Sequence, residues 1–309
     1  MKLLRVPATS ANVGPGFDTL ALAFEWFLEC YFTKLPENGM LEMKIEGFGK
    51  KDIPATKENI IYKAYARVFE YKDIEPYGLK ININNNVPIA RGMGSSSSAI
   101  VMGILVANSL LNNILTQDEL LQLSYELEGH TDNITAALLG GFITSGVING
   151  QVKAVKFNIP DNLICNLIVP EYELPTVEAR KVLPSEISFK DAVQNNINTA
   201  MIVSSLSKGD LKLFAQFLTD YLSQPYRAPL VKGITKIQEI AKEHGFLGAC
   251  ISGAGPTIIL FAEKSKPTDL EPIKKILKDE KINFTIYKDI NFINYGGLDL
   301  LSKVRLNNC

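Results

Sequence analysis

The sequence predicts an α+β protein of two domains. Three observations carry this. The chain has 309 residues, more than a typical domain of about 100–200 and long enough to bury a core without disulfide staples. Strand-like alternation and helix-like spacing of apolar residues follow one another along its whole length. The pattern resets at Asn158-Ile159-Pro160-Asp161-Asn162, dividing a first domain over 1–158 from a second over 159–309.

In the first domain, Lys2 to Pro7, Leu20 to Leu35 and Met40 to Gly47 read as strands. Glu58 to Tyr71 places Ile61, Ala64, Tyr65 and Val68 at helical spacing. Leu79, Ile81 and Ile83 alternate with polar residues, as in a half-buried strand. Ser97 to Leu111 is apolar all round, so it predicts a buried helix. Thr116-x-x-Glu119 is a capping box opening a helix to Glu128. A short helix over Asp132 to Leu139 ends at Gly140-Gly141. Asn149-Gly150 then turns a hairpin within Phe142 to Phe157.

In the second domain, Leu163 to Val169, Leu247 to Ser252, Thr257 to Phe261 and Phe284 to Lys288 read as strands. Thr176 to Leu183, Ser188 to Leu206, Asp210 to Leu222, Leu230 to His244 and Thr268 to Lys281 read as helices.

Composition excludes several functions. Lys and Arg number 32 against 33 Asp and Glu, whereas a surface that tracks nucleic-acid phosphates carries a basic excess. The longest apolar run, Ala99 to Ala107, falls short of the roughly 20 residues that span a bilayer. Cys30, Cys165, Cys250 and Cys309 form no C-x-x-C and fit reduced thiols, and His130 and His244 are the only histidines. A cytoplasmic protein without a histidine metal cage, nucleic acid or membrane partner is expected. The charges are unevenly sorted: between Arg91 and Lys153 there is no Lys or Arg, yet Asp118, Glu119, Glu126, Glu128 and Asp132 lie there. That stretch tolerates, or requires, unpaired carboxylates.

The segment richest in chemistry is Pro88-Ile89-Ala90-Arg91-Gly92-Met93-Gly94-Ser95-Ser96-Ser97-Ser98. A strand gives way to two glycines, four serines and an apolar helix. Glycine lets the backbone approach an anion closely and take positive φ. The helix start presents free N–H groups and the positive dipole end. Serine hydroxyls add donors, and one can ligate Mg²⁺. This is a phosphate cradle, although no lysine follows the second glycine as in a Walker loop. The competing reading is a Gly/Ser loop that merely starts a buried helix.

This segment resembles the phosphate-binding motif of the GHMP kinases. Pro7-Ala8-Thr9-Ser10-Ala11-Asn12-Val13-Gly14-Pro15-Gly16-Phe17-Asp18 looks like the N-terminal signature of the members that phosphorylate homoserine. Ile251-Ser252-Gly253-Ala254-Gly255-Pro256-Thr257 is similar to the third, C-terminal motif of the family. With Glu128-Gly129-His130-Thr131-Asp132-Asn133 and Pro225-Tyr226-Arg227, five segments in family order span residues 7–257.

The resemblance implies a first domain like the second domain of ribosomal protein S5, a ferredoxin-like second domain, and a cleft between them. It implies ATP as phosphate donor and phosphorylation of the side-chain hydroxyl of L-homoserine, toward threonine. It also implies Asn12 and Asp18 at the reacting and ammonium ends of the amino acid. His130, Asp132 and Asn133 would line the same site. Arg180 and Arg227 would clamp the carboxylate, since guanidinium pairs with carboxylate bidentately; Thr176 lies one helical turn before Arg180. Only six arginines occur in the chain, which gives two at matching positions weight. Gly253 and Gly255 join the phosphate loop on the nucleotide side. Asn59 matches a position on the base side, or is an ordinary helix-start Asn. Ser96 and Glu128, with Glu126 as alternative, would hold Mg²⁺, which takes few carboxylates, a hydroxyl and phosphate oxygens. A homodimer is common in the family. Another small alcohol such as mevalonate, or a non-catalytic ligand sensor, are the competing functions; mevalonate offers no ammonium for Asp18, and a sensor would show degenerate glycine motifs.

Overall fold

The computed structural model describes residues 1–303; Cys309 and the end of the expected second domain lie outside the described residues. Two sheets organise the chain. The first contains β1 (Lys2–Asn12), β2 (Gly16–Leu35), β3 (Leu41–Gly47), β4 (Gly78–Asn85), β5 (Phe142–Ile148), β6 (Gln151–Phe157) and β11 (Leu301–Lys303). Its main path runs β11-β1-β2-β4-β3, with β5 and β6 branching from β2. The branch exists because β2 is 20 residues long. Its first part pairs Leu20–Leu22 with β5, and Leu28–Leu35 pairs with β4.

One face of this sheet is covered by α1 (Ile60–Tyr71), α2 (Ser95–Leu110), α3 (Gln117–Glu128) and α4 (Asp132–Leu139). Helix α2 is buried from Ser97 to Ser109, as its uniformly apolar sequence requires. Close packing against α1 depends on Gly103, where a Cβ would stand 2.2 Å from the Ile61 carbonyl oxygen. The Thr116–Glu119 capping box starts α3, and Gly129 in the left-handed region ends it.

The second sheet holds β7 (Leu163–Pro170), β8 (Gly248–Ile251), β9 (Ile258–Glu263) and β10 (Phe284–Asn291), in the order β10-β7-β9-β8, all antiparallel. Numbered within this unit, that order is 4-1-3-2, the ferredoxin-like arrangement expected. Between β7 and β8 lie α5 (Thr176–Lys181), α6 (Phe189–Ser207), α7 (Leu211–Phe214), α8 (Gln224–Arg227) and α9 (Ile234–Ile240); α10 (Glu271–Asp279) precedes β10. The rings of Phe24, Phe292, Phe261 and Phe214 contact one another in succession, at 5.5, 6.2 and 5.1 Å between centroids. They carry one hydrophobic core from the first sheet into the second.

Several local expectations differ from the structure. Strand β1 continues to Asn12, because Ala8, Thr9, Ser10 and Ala11 are buried beside β2. The helix expected over Asp210 to Leu222 stops at Phe214, and irregular backbone follows. The helix expected from Leu230 begins only at Ile234, since Gly233 takes φ 83°, and tightens to 3-10 turns over Ala241–His244. Strand β11 was not anticipated; its three residues are too few for a pattern, yet they pair with Lys2–Leu4 and return the chain to the first sheet.

Candidate active site

The phosphate loop is held from four sides. Thr9 N–H donates to the Met93 carbonyl (3.1 Å), Ser252 Oγ donates to that of Gly92 (2.7 Å), and Leu174 N–H to that of Ala90 (3.2 Å). The Arg91 guanidinium donates to the carbonyls of Ile89, Pro170 and Glu171 and to the Glu173 carboxylate. Its side chain therefore braces the loop against the segment before α5, leaving the loop backbone to face the cleft. Glycine is required twice. A Cβ on Gly92 would stand 2.1 Å from the Ser252 carbonyl oxygen, and one on Gly94 1.9 Å from Thr9 Oγ1; both residues have positive φ. Gly94 is also the N-cap of α2 and supplies no side-chain acceptor, so the first-turn N–H groups are available to an anion.

The loop forms one end of a cavity of about 400 Å³. Leu28, Ile45, Ile53, Ile60, Ile83 and Ile89 make the other end apolar, and Pro175 and Ala254 close it from the second sheet's side. Asn59 stands at this end. It caps α1, its Oδ1 accepting from Ile61 N–H and its Nδ2 donating to the Pro54 carbonyl, both at 2.8 Å. Its amide is thus committed to the fold. The apolar wall comes from β2, β3, β4, the first residue of α1 and two loops, so no local motif announced it.

At the start of α2, Glu128 from the end of α3 accepts from Ser97 Oγ (2.6 Å) and Ser96 Oγ (3.1 Å). No cation lies within ion-pair distance of Glu128 among the described residues. Glu126 points elsewhere and pairs with Arg67 at 3.0 Å. One carboxylate and two hydroxyls beside a phosphate loop suit a divalent cation that completes its shell with phosphate oxygens and water. Among the described residues no group of three His, Cys, Asp or Glu could hold a metal by protein ligands alone.

A second cavity, about 60 Å³, adjoins the first. Glu128, Asn133, Thr176, Gly253 and Ala254 line both. Asn12 enters it from the β1–β2 turn, where Asn12 (φ 71°), Val13 (φ 48°) and Asp18 (φ 57°) are all left-handed. Such backbone is costly for non-glycine residues and persists only where its surroundings hold it. Here they do: Asn12 Nδ2 donates to the Gly253 carbonyl (2.8 Å) and Asn12 Oδ1 accepts from Asp18 N–H (3.2 Å). The first and third motifs are further joined by Gly253 N–H to the Ala11 carbonyl and by Ser252 Oγ to Ser10 Oγ. Gly255 turns the same Ser252–Thr257 segment, its N–H donating to the Ser252 carbonyl.

Arg180, on α5 one turn after Thr176, pairs with Asp18 at 2.5 Å, while its Nε is buried with no partner. Arg227 is only 2% exposed. It donates to the carbonyls of Ala179 (3.0 Å) and Gly253 (3.2 Å), and no carboxylate lies within ion-pair distance among the described residues. Burial, then the like charge of Arg180, pulls its pKa below the usual guanidinium value. Asp132, the first residue of α4, is buried. Desolvation is the main force that pushes its carboxyl up to about 6. Asn133 turns its Oδ1 toward Thr9 Oγ1 (2.7 Å), and His130 Nδ1 lies 3.2 Å from the Glu128 carbonyl oxygen.

Sequence reasoning missed Asp220. Its carboxylate accepts from the N–H groups of Leu222, Ser223 and Gln224 and from Ser223 Oγ. It thereby ties down the turn leading into α8, the helix that carries Arg227. The only cue was an acidic residue shortly before Pro225.

The raised Asp132 carboxyl has a consequence for stability. In the unfolded chain it ionises near 3.8, in the folded one near 6. As pH rises through that window the unfolded state loses its proton first, so the folded state is progressively disfavoured. Asp132→Asn is therefore expected to stabilise the fold above pH 6 by about 2–3 kcal/mol, with the gain vanishing below pH 4. Thermal unfolding of both proteins at pH 3.5 and 8 measures this. Activity is expected to fall, since a stabilising change at a functional site commonly costs function.

A family model described as GHMP kinases N terminal domain matches residues 59–141, and one described as GHMP kinases C terminal matches residues 202–280. A protein of Carboxydothermus hydrogenoformans named homoserine kinase is 36% identical over 305 residues, covering 98% of each chain. Another so named, from Moorella thermoacetica, is 40% identical over 267 residues, 86% of this chain and 89% of that one. The crystal structure of homoserine kinase from Cytophaga hutchinsonii superposes with a TM-score of 0.83 at 28% identity, over 96% of both chains.

Proposed function

The chain belongs to the GHMP kinase family, and we propose that it transfers the γ-phosphoryl group of ATP to the side-chain hydroxyl of L-homoserine, giving O-phospho-L-homoserine and ADP. The observation that carries this reading is the junction of the two cavities at Glu128, Asn133, Thr176 and Gly253. A phosphate cradle lies on one side, and a carboxylate with two arginines on the other. A phosphate donor and a zwitterionic acceptor then meet at one point. The name borne by the full-length relatives supplies the acceptor.

In this reading the apolar end of the larger cavity takes the adenine, and the loop N–H groups and the start of α2 take the phosphates. Ser96 and Glu128 would hold Mg²⁺, which would supply positive charge to offset that of the phosphates. Homoserine enters the smaller cavity by replacing the Asp18–Arg180 pair with its own two charges. Its ammonium goes to Asp18, and its carboxylate to Arg180 and Arg227. Asn12 Oδ1 keeps a lone pair beyond its bond to Asp18 N–H, enough to orient the attacking hydroxyl. The hydroxyl oxygen bonds to the γ-phosphorus, the bond from that phosphorus to the bridging oxygen breaks, ADP leaves with that electron pair, and the hydroxyl proton passes by way of an oxygen of the transferred phosphoryl group to solvent. Phosphoryl transfer depends mostly on such positioning and charge stabilisation, so no separate base is required.

ADP release, coupled to an indicator reaction, compares L-homoserine, mevalonate, shikimate and galactose. Stimulation by homoserine above the others is expected. Absence of any stimulation by homoserine overturns the reading.

A further inference from the structure

Phe17 has no place in the reaction as described, yet among the described residues its ring is the one aromatic face that lies against both arginines. The Arg180 guanidinium carbon lies 5.3 Å from the ring centroid and that of Arg227 lies 5.1 Å from it. These two cations repel each other, and Arg227 is buried with no carboxylate within ion-pair distance among the described residues. Asp18 pairs with Arg180 and attracts Arg227 only from farther off; the ring lies against both guanidiniums. An aromatic face attracts a cation through its quadrupole, most strongly where water is excluded.

We propose that Phe17 is a positioning residue that holds Arg180 and Arg227 at the spacing of one substrate carboxylate. The inference rests on the proposed acceptor site. Asp18 can neutralise Arg180 only until the substrate ammonium claims it; the ring is the partner both guanidiniums keep throughout. The backbone supports the role. Phe17 lies between the start of β2 at Gly16 and the left-handed Asp18, in a turn fastened by Asn195 Nδ2 and Thr199 Oγ1, both donating to the Pro15 carbonyl at 2.9 Å. Ring and carboxylate are thus presented by adjacent residues of one fixed turn.

The test replaces Phe17 by ring-fluorinated phenylalanines carrying one, two and three fluorines. These keep nearly the same volume while weakening the quadrupole stepwise. KM for the carboxylate-bearing alcohol is expected to climb with each fluorine, to roughly tenfold at the third, with KM for ATP unchanged. Phe17→Leu is expected to match the fully weakened ring, and Phe17→Tyr the wild type. A KM that stays flat across the series overturns the inference, because a ring that only fills space would behave that way. Wild-type turnover of a different carboxylate-bearing alcohol, but not homoserine, would overturn the proposed substrate and leave this test to be read on that alcohol. Turnover only of alcohols without a carboxylate would overturn both.

Discussion

Arg227→Met is expected to lower kcat/KM for L-homoserine about a thousandfold while leaving KM for ATP within a factor of two. Arg227 is buried and, among the described residues, donates only to the Ala179 and Gly253 carbonyls. That leaves its remaining donors available to the carboxylate of the proposed substrate. Removing one partner of a buried, hydrogen-bonded charge pair costs about 3–5 kcal/mol, and each 1.4 kcal/mol is tenfold. The proposed phosphate site is at the other cavity, which Arg227 does not line. Arg227→Lys restores the charge without the fork and is expected to recover only part of the loss. Steady-state kinetics in both substrates, with thermal unfolding to verify the fold, separate these outcomes.

Glu128→Gln is expected to reduce kcat about a hundredfold and to raise the Mg²⁺ concentration needed for half-maximal rate. Glutamine keeps the shape: its Oε1 can still accept from Ser97 Oγ while its Nε2 donates to Ser96 Oγ, so the start of α2 is expected to stay in place. What is lost is the one uncompensated carboxylate beside the phosphate loop. The control is Glu126→Gln. That residue meets Arg67 at the surface, where ion pairs contribute about 0–1 kcal/mol, and the change is expected to leave both parameters alone. Titrating Mg²⁺ against initial rate for the three proteins decides between the two glutamates, which two positions of spacing on one helix could not.

The cation-free stretch between Arg91 and Lys153 shows how far composition reaches. Its five carboxylates are not all unpaired: Asp118, Glu119 and Glu126 meet Lys153, Lys72 and Arg67, which approach from outside the stretch. Only Glu128 and Asp132 stand without a cation within ion-pair distance among the described residues, and both line the smaller cavity. A local count could mark the region, but pairing is settled by the fold.

The same division holds elsewhere. The glycine loop, the buried helix α2 and the Thr116 cap were legible because their causes are local: positive φ, uniform apolarity and a three-residue spacing. The apolar slot was not, because sheet pairing brings Leu28, Ile45 and Ile83 together and the loop after β4 adds Ile89. Nor was the bracing role of Arg91, whose acceptors Pro170 and Glu171 are 79 and 80 positions away in sequence. The helix expected over Asp210 to Leu222 ends at Phe214. At its far end Asp220 accepts from the N–H groups of Leu222, Ser223 and Gln224, a turn that the apolar spacing did not foretell.

The account stands on recognition of a zwitterion, with Asp18 receiving an ammonium and Arg180 and Arg227 a carboxylate. The direct measurement is kcat/KM for L-homoserine against 4-hydroxybutyrate, which keeps the carboxylate and the primary hydroxyl but lacks the ammonium. At least a hundredfold preference for L-homoserine in the wild type, collapsing in Asp18→Asn, is the predicted result. Equal use of the two acceptors by the wild-type enzyme would contradict it.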